Sequence, residues 1–194
     1  MQLALQPLQQ AGLLDGMEQP RCFGVSGWSG AGTTPSRKND PVALKDNLMP
    51  YALTGHIHER EVSTQLGSDV FFMPCVSPNF RGIQLTISAK LNEPRTMPGG
   101  GEVDGPVNYL RSMYQAVYDG EPLVKVLEEG IPEVASVAEK HHVEIGGFAM
   151  DESGTHVVIS ATIDNLLKGA ATQAVQNLNL SLGVDEFEGI DLSQ

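Results

Sequence analysis

Two apolar runs separated by one short polar break constrain this 194-residue chain more than any other feature. His141-His142-Val143-Glu144-Ile145-Gly146-Gly147-Phe148-Ala149 and His156-Val157-Val158-Ile159-Ser160-Ala161-Thr162-Ile163 read as strands, and Asp151-Glu152-Ser153-Gly154 as the turn that joins them. Arg21–Ser26 and Val70–Val76 read as short buried strands, and Ile83–Ala89 alternates apolar and polar residues, as a strand with one buried face does. Helical spacing occupies the rest. Residues 2–14 offer Leu3, Leu5, Leu8 and Leu13 for burial, with no capping residue before them. Glu59–Leu66 is closed by Gly67, and 106–118 places Val107, Leu110, Tyr114 and Val117 on one face. Asp164 or Asn165 caps a long helix that runs to about Leu182 and stops at Gly183, with an apolar stripe at Leu167, Ala171, Ala174 and Leu178. Asn92–Gly105, rich in proline and glycine, is expected to be a flexible insertion. Strands and helices alternate without strict βαβ order. The expected fold is therefore α+β (α/β), a mixed β-sheet flanked by helices.

The formal charge of −12, from 24 acidic and 12 basic residues, argues against a nucleic-acid partner, which needs a basic face. It leaves room for an anionic small molecule in a locally positive pocket. Two cysteines, Cys22 and Cys75, are too few for a disulfide framework and suit a reducing compartment. No apolar run approaches the length of a membrane span, and the first residues lack the pattern of a signal peptide. The chain reads as soluble and intracellular, with no membrane partner.

Proton-transfer capacity is densest at Thr54-Gly55-His56-Ile57-His58-Glu59-Arg60-Glu61. Histidine titrates nearest neutrality, and in an extended segment His56 and His58 would share one face. From spacing alone, two solvated histidines at a strand end are the other reading. Ser26-Gly27-Trp28-Ser29-Gly30-Ala31-Gly32 follows the first strand, with small residues that let backbone N–H groups approach an anion. It matches neither a Walker A loop nor the dinucleotide Gly-x-Gly-x-x-Gly, so an ordinary loop remains open too. No Cys-x-x-Cys or His-Glu-x-x-His spacing supports a metal site, and no bound metal is expected.

Four blocks then resemble the N-acetyl-gamma-glutamyl-phosphate reductase family: VSGWSGAG (25–32), LTGHIHEREV (53–62), MPCVSPNFRGI (73–83) and IDNLLKGAATQAVQNLNLSLG (163–183). The resemblance implies the C-terminal domain of a semialdehyde and glyceraldehyde-phosphate dehydrogenase-like architecture. It also implies NADPH-dependent reduction of an acyl phosphate to an aldehyde in arginine biosynthesis, and a homo-oligomer. In that family a cysteine thiolate displaces phosphate and a histidine carries protons. The nucleophile lies in a Pro-Gly-Cys motif just before a helix resembling residues 1–14. This chain is thus expected to start after that motif, lacking the nucleophile and the Rossmann half, and to be inactive alone. The implied division is a remnant helix (1–20), a substrate-binding and dimerisation domain (21–163) and a helix returning to the NADP-binding domain (164–194).

Residue by residue, the resemblance gives His56 the acid/base role, with His58 as its neighbour in the site. It lays Ser26, Gly27, Gly30, Ala31, Gly32 and Asn165 against the cofactor, and Arg81 and Lys168 toward the substrate. It implies a cytoplasmic enzyme, or a mitochondrial-matrix one in a kinase-fused form. A sister reductase of the aspartyl or lysine pathway, or a non-catalytic assembly domain, is the alternative.

Overall fold

The computed structural model describes residues 1–93 and 105–193, so the insertion expected at 92–105 lies outside it except at its ends. Seven strands form one mixed sheet in the order β2-β3-β1-β4-β7-β6-β5: β1 Arg21–Gly27, β2 Met49–Pro50, β3 Phe71–Ser77, β4 Ile83–Lys90, β5 Val124–Val126, β6 Val143–Met150 and β7 His156–Ile163. β1 runs parallel to β3 and β5 parallel to β6, while the other pairs are antiparallel. The expected hairpin is the β6–β7 pair, broken by a register shift between Gly146 and Ala149. Pro74 stands inside β3, where a proline normally breaks a ladder. It is tolerated because the outer neighbour β2 pairs only with Cys75 and Val76, so most of β3 is an edge.

The alternation read in β4 is real. Leu85, Ile87 and Ala89 are buried and Thr86 and Ser88 are exposed. Against the buried face lie α1 (Gln2–Gln10), α3 (Ile57–Leu66) and α4 (Pro106–Val117), joined in one core with Val157, Ile159 and Ala161 of β7. α1 stops at Gln10 rather than 14; Leu13 is buried beyond its end. Its Pro7 has no N–H to give to the carbonyl of Leu3, a defect that costs an isolated helix about 3 kcal/mol. The hydroxyl of Tyr118 donates to that Leu3 carbonyl at 2.5 Å, and the buried Tyr114 hydroxyl donates to Ala4 at 2.5 Å. Burial of Leu5 and Leu8, each about 1.5–3 kcal/mol, offsets the remainder. On α4 Leu110 and Tyr114 are buried, but Val117 is 41% exposed.

The C-terminal helix departs from expectation. It opens with a π-helical turn, Leu167–Ala171, followed by α6, Thr172–Leu182, which Gly183 ends in the left-handed conformation (φ 71°). Two short helices, α2 (Pro41–Leu44) and α5 (Val134–Val137), were not legible as periodic segments. The expected stripe is inverted: Ala171, Ala174 and Leu178 face outward, while Lys168, Thr172, Gln176 and Asn179 are buried. The buried positions keep ordinary helical spacing, but they are the polar ones, and the apolar side chains Val175, Leu178, Leu180 and Leu182 are exposed.

Candidate functional site

The histidine stretch is not an extended segment. Gly55 adopts φ 69°, and His56 follows as the N-cap of α3, with His58 already inside the first turn. The two rings nevertheless meet, with centroids 4.8 Å apart. They do so through the cap geometry and not through strand alternation. His56 Nδ1 accepts the backbone N–H of His58 at 3.2 Å, which satisfies one of the orphan donors of the helix start. Its ring also packs edge-on to Phe72 and Tyr51. Burial, followed by the neighbouring His58 and Lys38, lowers the His56 pKa below its ordinary value.

His58 differs in every respect. It is exposed, and its Nδ1 lies 2.6 Å from Glu61 Oε2, one helical turn on. The carboxylate assigns the proton to Nδ1 and leaves Nε2 with its lone pair. His56 has the opposite tautomer, since its Nδ1 is consumed as an acceptor. His58 and Glu61 line a cleft of about 990 Å³ bounded by α1, β4, β7 and the start of the C-terminal helix. Glu61 was not picked out from the sequence, although the i, i+3 spacing from His58 is the signal for such a pair.

A second cluster gathers most of the other expected residues. Trp28–Ala31 forms a single 3₁₀ turn after β1. The loop hydrogen-bonds to the turn before β4 through Gly27 N–H to Gly82 O (2.8 Å), Trp28 N–H to Asn79 O (2.9 Å) and Ser29 N–H to Phe80 O (3.0 Å). Those donors are therefore turned inward and form no anion cradle. A Cβ on Gly27 would stand 2.6 Å from the Phe80 carbonyl, so glycine is required there by close backbone approach. A Cβ on Gly30 would meet Ser26 Oγ at 3.0 Å, while Gly32 (φ 77°) opens to free space. Ala31, between them, is half-buried. Asn165 locks the cluster: its Oδ1 accepts from Gly82 N–H at 2.6 Å and its Nδ2 donates to Ser29 Oγ at 2.9 Å.

Asp164 is the cap and much more. Fully buried, its carboxylate accepts from the N–H groups of Leu166 (2.8 Å), Leu167 (3.1 Å) and Glu139 (2.8 Å), and from Arg81 Nη1 (3.2 Å). Arg81 also faces Glu139 at 3.5 Å, so its charge is already answered twice. Lys168 lies apart from this cluster, in the cleft with His58. His141 bonds Thr172 Oγ1 at 2.7 Å, and the buried His142 faces Glu144 at 3.4 Å. Burial pushes the Cys22 thiol up to about 11 and raises Cys75 as well, which makes both poor nucleophiles. Among the described residues no group of three or more His, Cys, Asp and Glu could hold a metal, and no helix is long and apolar enough to cross a membrane.

Comparison with known proteins fits this anatomy. The chain is 53% identical over 190 residues to N-acetyl-gamma-glutamyl-phosphate reductase of Stenotrophomonas maltophilia, covering 98% of this chain and 55% of that protein. It is 56% identical over 189 residues to "Protein arg-6, mitochondrial" of Neurospora crassa, covering 97% of this chain and 20% of that one. The chain thus spans about half the length, or less, of these relatives. Among solved structures, aspartate semialdehyde dehydrogenase II of Vibrio cholerae superposes with a TM-score of 0.70 at 18% identity, over 93% of this chain and 58% of that one. That identity carries the fold alone. Residues 1–165 match the family described as semialdehyde dehydrogenase, dimerisation domain, and to that family this chain belongs.

Proposed function

We propose that this chain is the substrate-binding and dimerisation half of an N-acetyl-gamma-glutamyl-phosphate reductase, with His58 as its acid/base residue. The observation that carries the role is the tautomer pair. Glu61 holds the Nδ1 proton of His58 and leaves Nε2 basic beside the cleft, whereas His56 spends Nδ1 on the helix cap. A histidine oriented by a carboxylate can take a proton from a thiol and return it to a developing alkoxide. The nucleophile belongs to the remainder of the protein, because both cysteines here are buried and their thiols pushed up. His56 keeps a positioning role, setting the start of α3 and packing against His58. The cofactor reading is NADP. A bound nicotinamide supplies the hydride, and the open surface at Gly32, where a side chain would meet nothing, fits the face of a flat ring. The Gly27–Ser29 donors are committed elsewhere, so the loop suits that ring and not the phosphates. Asn165 serves by rigidifying the loop. The exposed sheet face around Phe23, Thr86 and Ser88 is where a second copy docks, and the outward Val175, Leu178 and Leu182 of α6 are where the cofactor-binding half packs.

The test uses the full-length protein that carries this chain, assayed as NADP⁺ reduction dependent on both semialdehyde and phosphate. His58→Gln should lower kcat by about 10²–10⁴, the usual worth of a general base. His56→Asn, which still caps a helix, should stay within about tenfold. No phosphate-dependent turnover by the wild type would remove the function, and a reversed ranking of the two variants would return the acid/base role to His56.

A further inference from the structure

The sheet leaves the outer edge of β3 without a strand partner over most of its length. Alternate residues of a strand aim their N–H and C=O groups at opposite neighbours. Phe71 gives its N–H to Pro20 O (2.8 Å) on the β1 side, so Val70, Phe72, Pro74 and Val76 face outward. β2 reaches only Cys75 and Val76, and among the described residues no strand covers the remainder. Pro74 has no N–H to offer, and its carbonyl accepts from Tyr51 N–H at 3.2 Å. The N–H groups of Val70 and Phe72 are left. Both residues are buried, at 3% and 7% exposure, so water is a poor substitute partner.

Two side chains of α3 answer them. Glu59 Oε2 accepts from Phe72 N–H at 3.1 Å, and Ser63 Oγ accepts from Val70 N–H at 3.1 Å. Ser63 is fixed in turn, since its hydroxyl donates to the Glu59 carbonyl at 2.7 Å. The spacings match: four residues of helix rise about 6 Å and two residues of strand about 6.6 Å. Helix and strand run in opposite senses there, and the helix stands in for a neighbouring strand. A glutamate in a first helical turn ordinarily serves the helix dipole, but this one reaches across to another element. The consequence is register. Phe72, the residue whose N–H is held, packs its ring edge-on to His56 at 5.2 Å, and His56 meets His58 at 4.8 Å. Sliding α3 along β3 would break both bonds and move both histidine rings. We propose that Glu59 and Ser63 are positioning residues, a two-point latch that sets the register of α3 on β3 and thereby fixes where His58 Nε2 stands in the cleft. This rests on the reading of His58 as the acid/base residue and deepens it.

The test is residue-resolved amide exchange together with steady-state kinetics on the full-length protein that carries this chain. Glu59→Ala should speed exchange at the Phe72 amide by about tenfold or more while Leu85 and Ile87 in β4 stay protected, which marks a local opening and not a general loss of stability. It should lower kcat by about 10–10², the cost of a misplaced catalytic group, with KM within about threefold. Glu59→Gln keeps an oxygen acceptor and removes only the charge, so it should restore both the exchange and kcat to near wild type. Ser63→Ala reads the second point at the Val70 amide, with kcat falling in the same direction, and covers the case in which Glu59→Ala does not fold. Unchanged protection of Phe72 in Glu59→Ala and of Val70 in Ser63→Ala, or an opened latch with kcat unchanged, overturns the proposal. So does Glu59→Gln behaving as Glu59→Ala, which would make the charge the cause. A Phe72 amide that depends on Glu59, in a protein without phosphate-dependent turnover, would sink the function and spare the latch; turnover with a Phe72 amide indifferent to Glu59 would do the reverse.

Discussion

Asp164 offers the sharpest stability test, because one fully buried carboxylate answers four donors from three parts of the chain. In Asp164→Ala the loss of the cap at Leu166 and Leu167 costs about 1 kcal/mol. Glu139, held at φ 66° by its N–H bond to Asp164, loses a partner in a part-buried setting, at about 1–2 kcal/mol. Breaking a buried ion pair costs about 3–5 kcal/mol when the survivor is sealed in. Arg81 is 27% exposed and keeps Glu139 at 3.5 Å, so that share falls to about 1 kcal/mol. Together these put Asp164→Ala at about 3–4 kcal/mol. Urea unfolding with a slope of about 2 kcal/mol per M should show the midpoint falling by about 2 M at unchanged slope. Asp164→Asn retains one carbonyl acceptor and should lose about half as much. Adding Arg81→Met to Asp164→Ala should recover part of the loss by removing the stranded cation. A loss below about 1 kcal/mol for Asp164→Ala, or no coupling to Arg81, would refute this account of the junction.

Two further outcomes are expected. Gly27→Ala should cost about 2–3 kcal/mol in urea unfolding, since its Cβ meets backbone at 2.6–2.8 Å, whereas Gly32→Ala should cost only about 1 kcal/mol for its φ of 77° in open space; the opposite order would show that the Gly27 approach relaxes freely. The pKa of Asp151 is lowered to about 2, first by Ser153 and then by the His156 N–H, so its contribution is present above its unfolded value of 3.8 and is lost as pH falls through about 2. Asp151→Asn should therefore flatten the stability curve between pH 4 and 2, and an unchanged slope there would show that the turn does not depend on the carboxylate.

The sheet was legible wherever a strand had length and a buried face. β4 announces itself by alternation, and β6 and β7 by their apolar runs around the 151–154 turn. β2 with two residues and β5 with three carry no period that a sequence can display. The C-terminal helix misled for a definite reason. The expected stripe assumed that the apolar side chains face inward, whereas Lys168, Thr172, Gln176 and Asn179 are buried and Ala174 and Leu178 are exposed. The histidine pair misled in a related way. Gly-His-x-His can be read at period two, but Gly55 with φ 69° turns the chain and makes His56 a cap. Local hydrogen bonding then decides which histidine has a lone pair to offer, a fact that spacing cannot hold.

The same reasoning sorts the cations. In a chain of net charge −12 the long-range field repels an anionic ligand, and it is screened within about 8 Å at physiological salt. Recognition therefore has to come from a near, poorly hydrated positive group, where the effective dielectric is low. Arg21 faces Glu18, Lys90 faces Asp15 and Glu18, and Arg81 faces Asp164 and Glu139. Lys38 lies over the Tyr51 ring at the protein surface. Lys168 is buried in the cleft, its ammonium donating to the amide oxygens of Gln173 and Gln176 while Glu186 and Glu121 act on it from further off. That ammonium and His58 line the same cleft, so the near positive group and the histidine held by Glu61 stand together there.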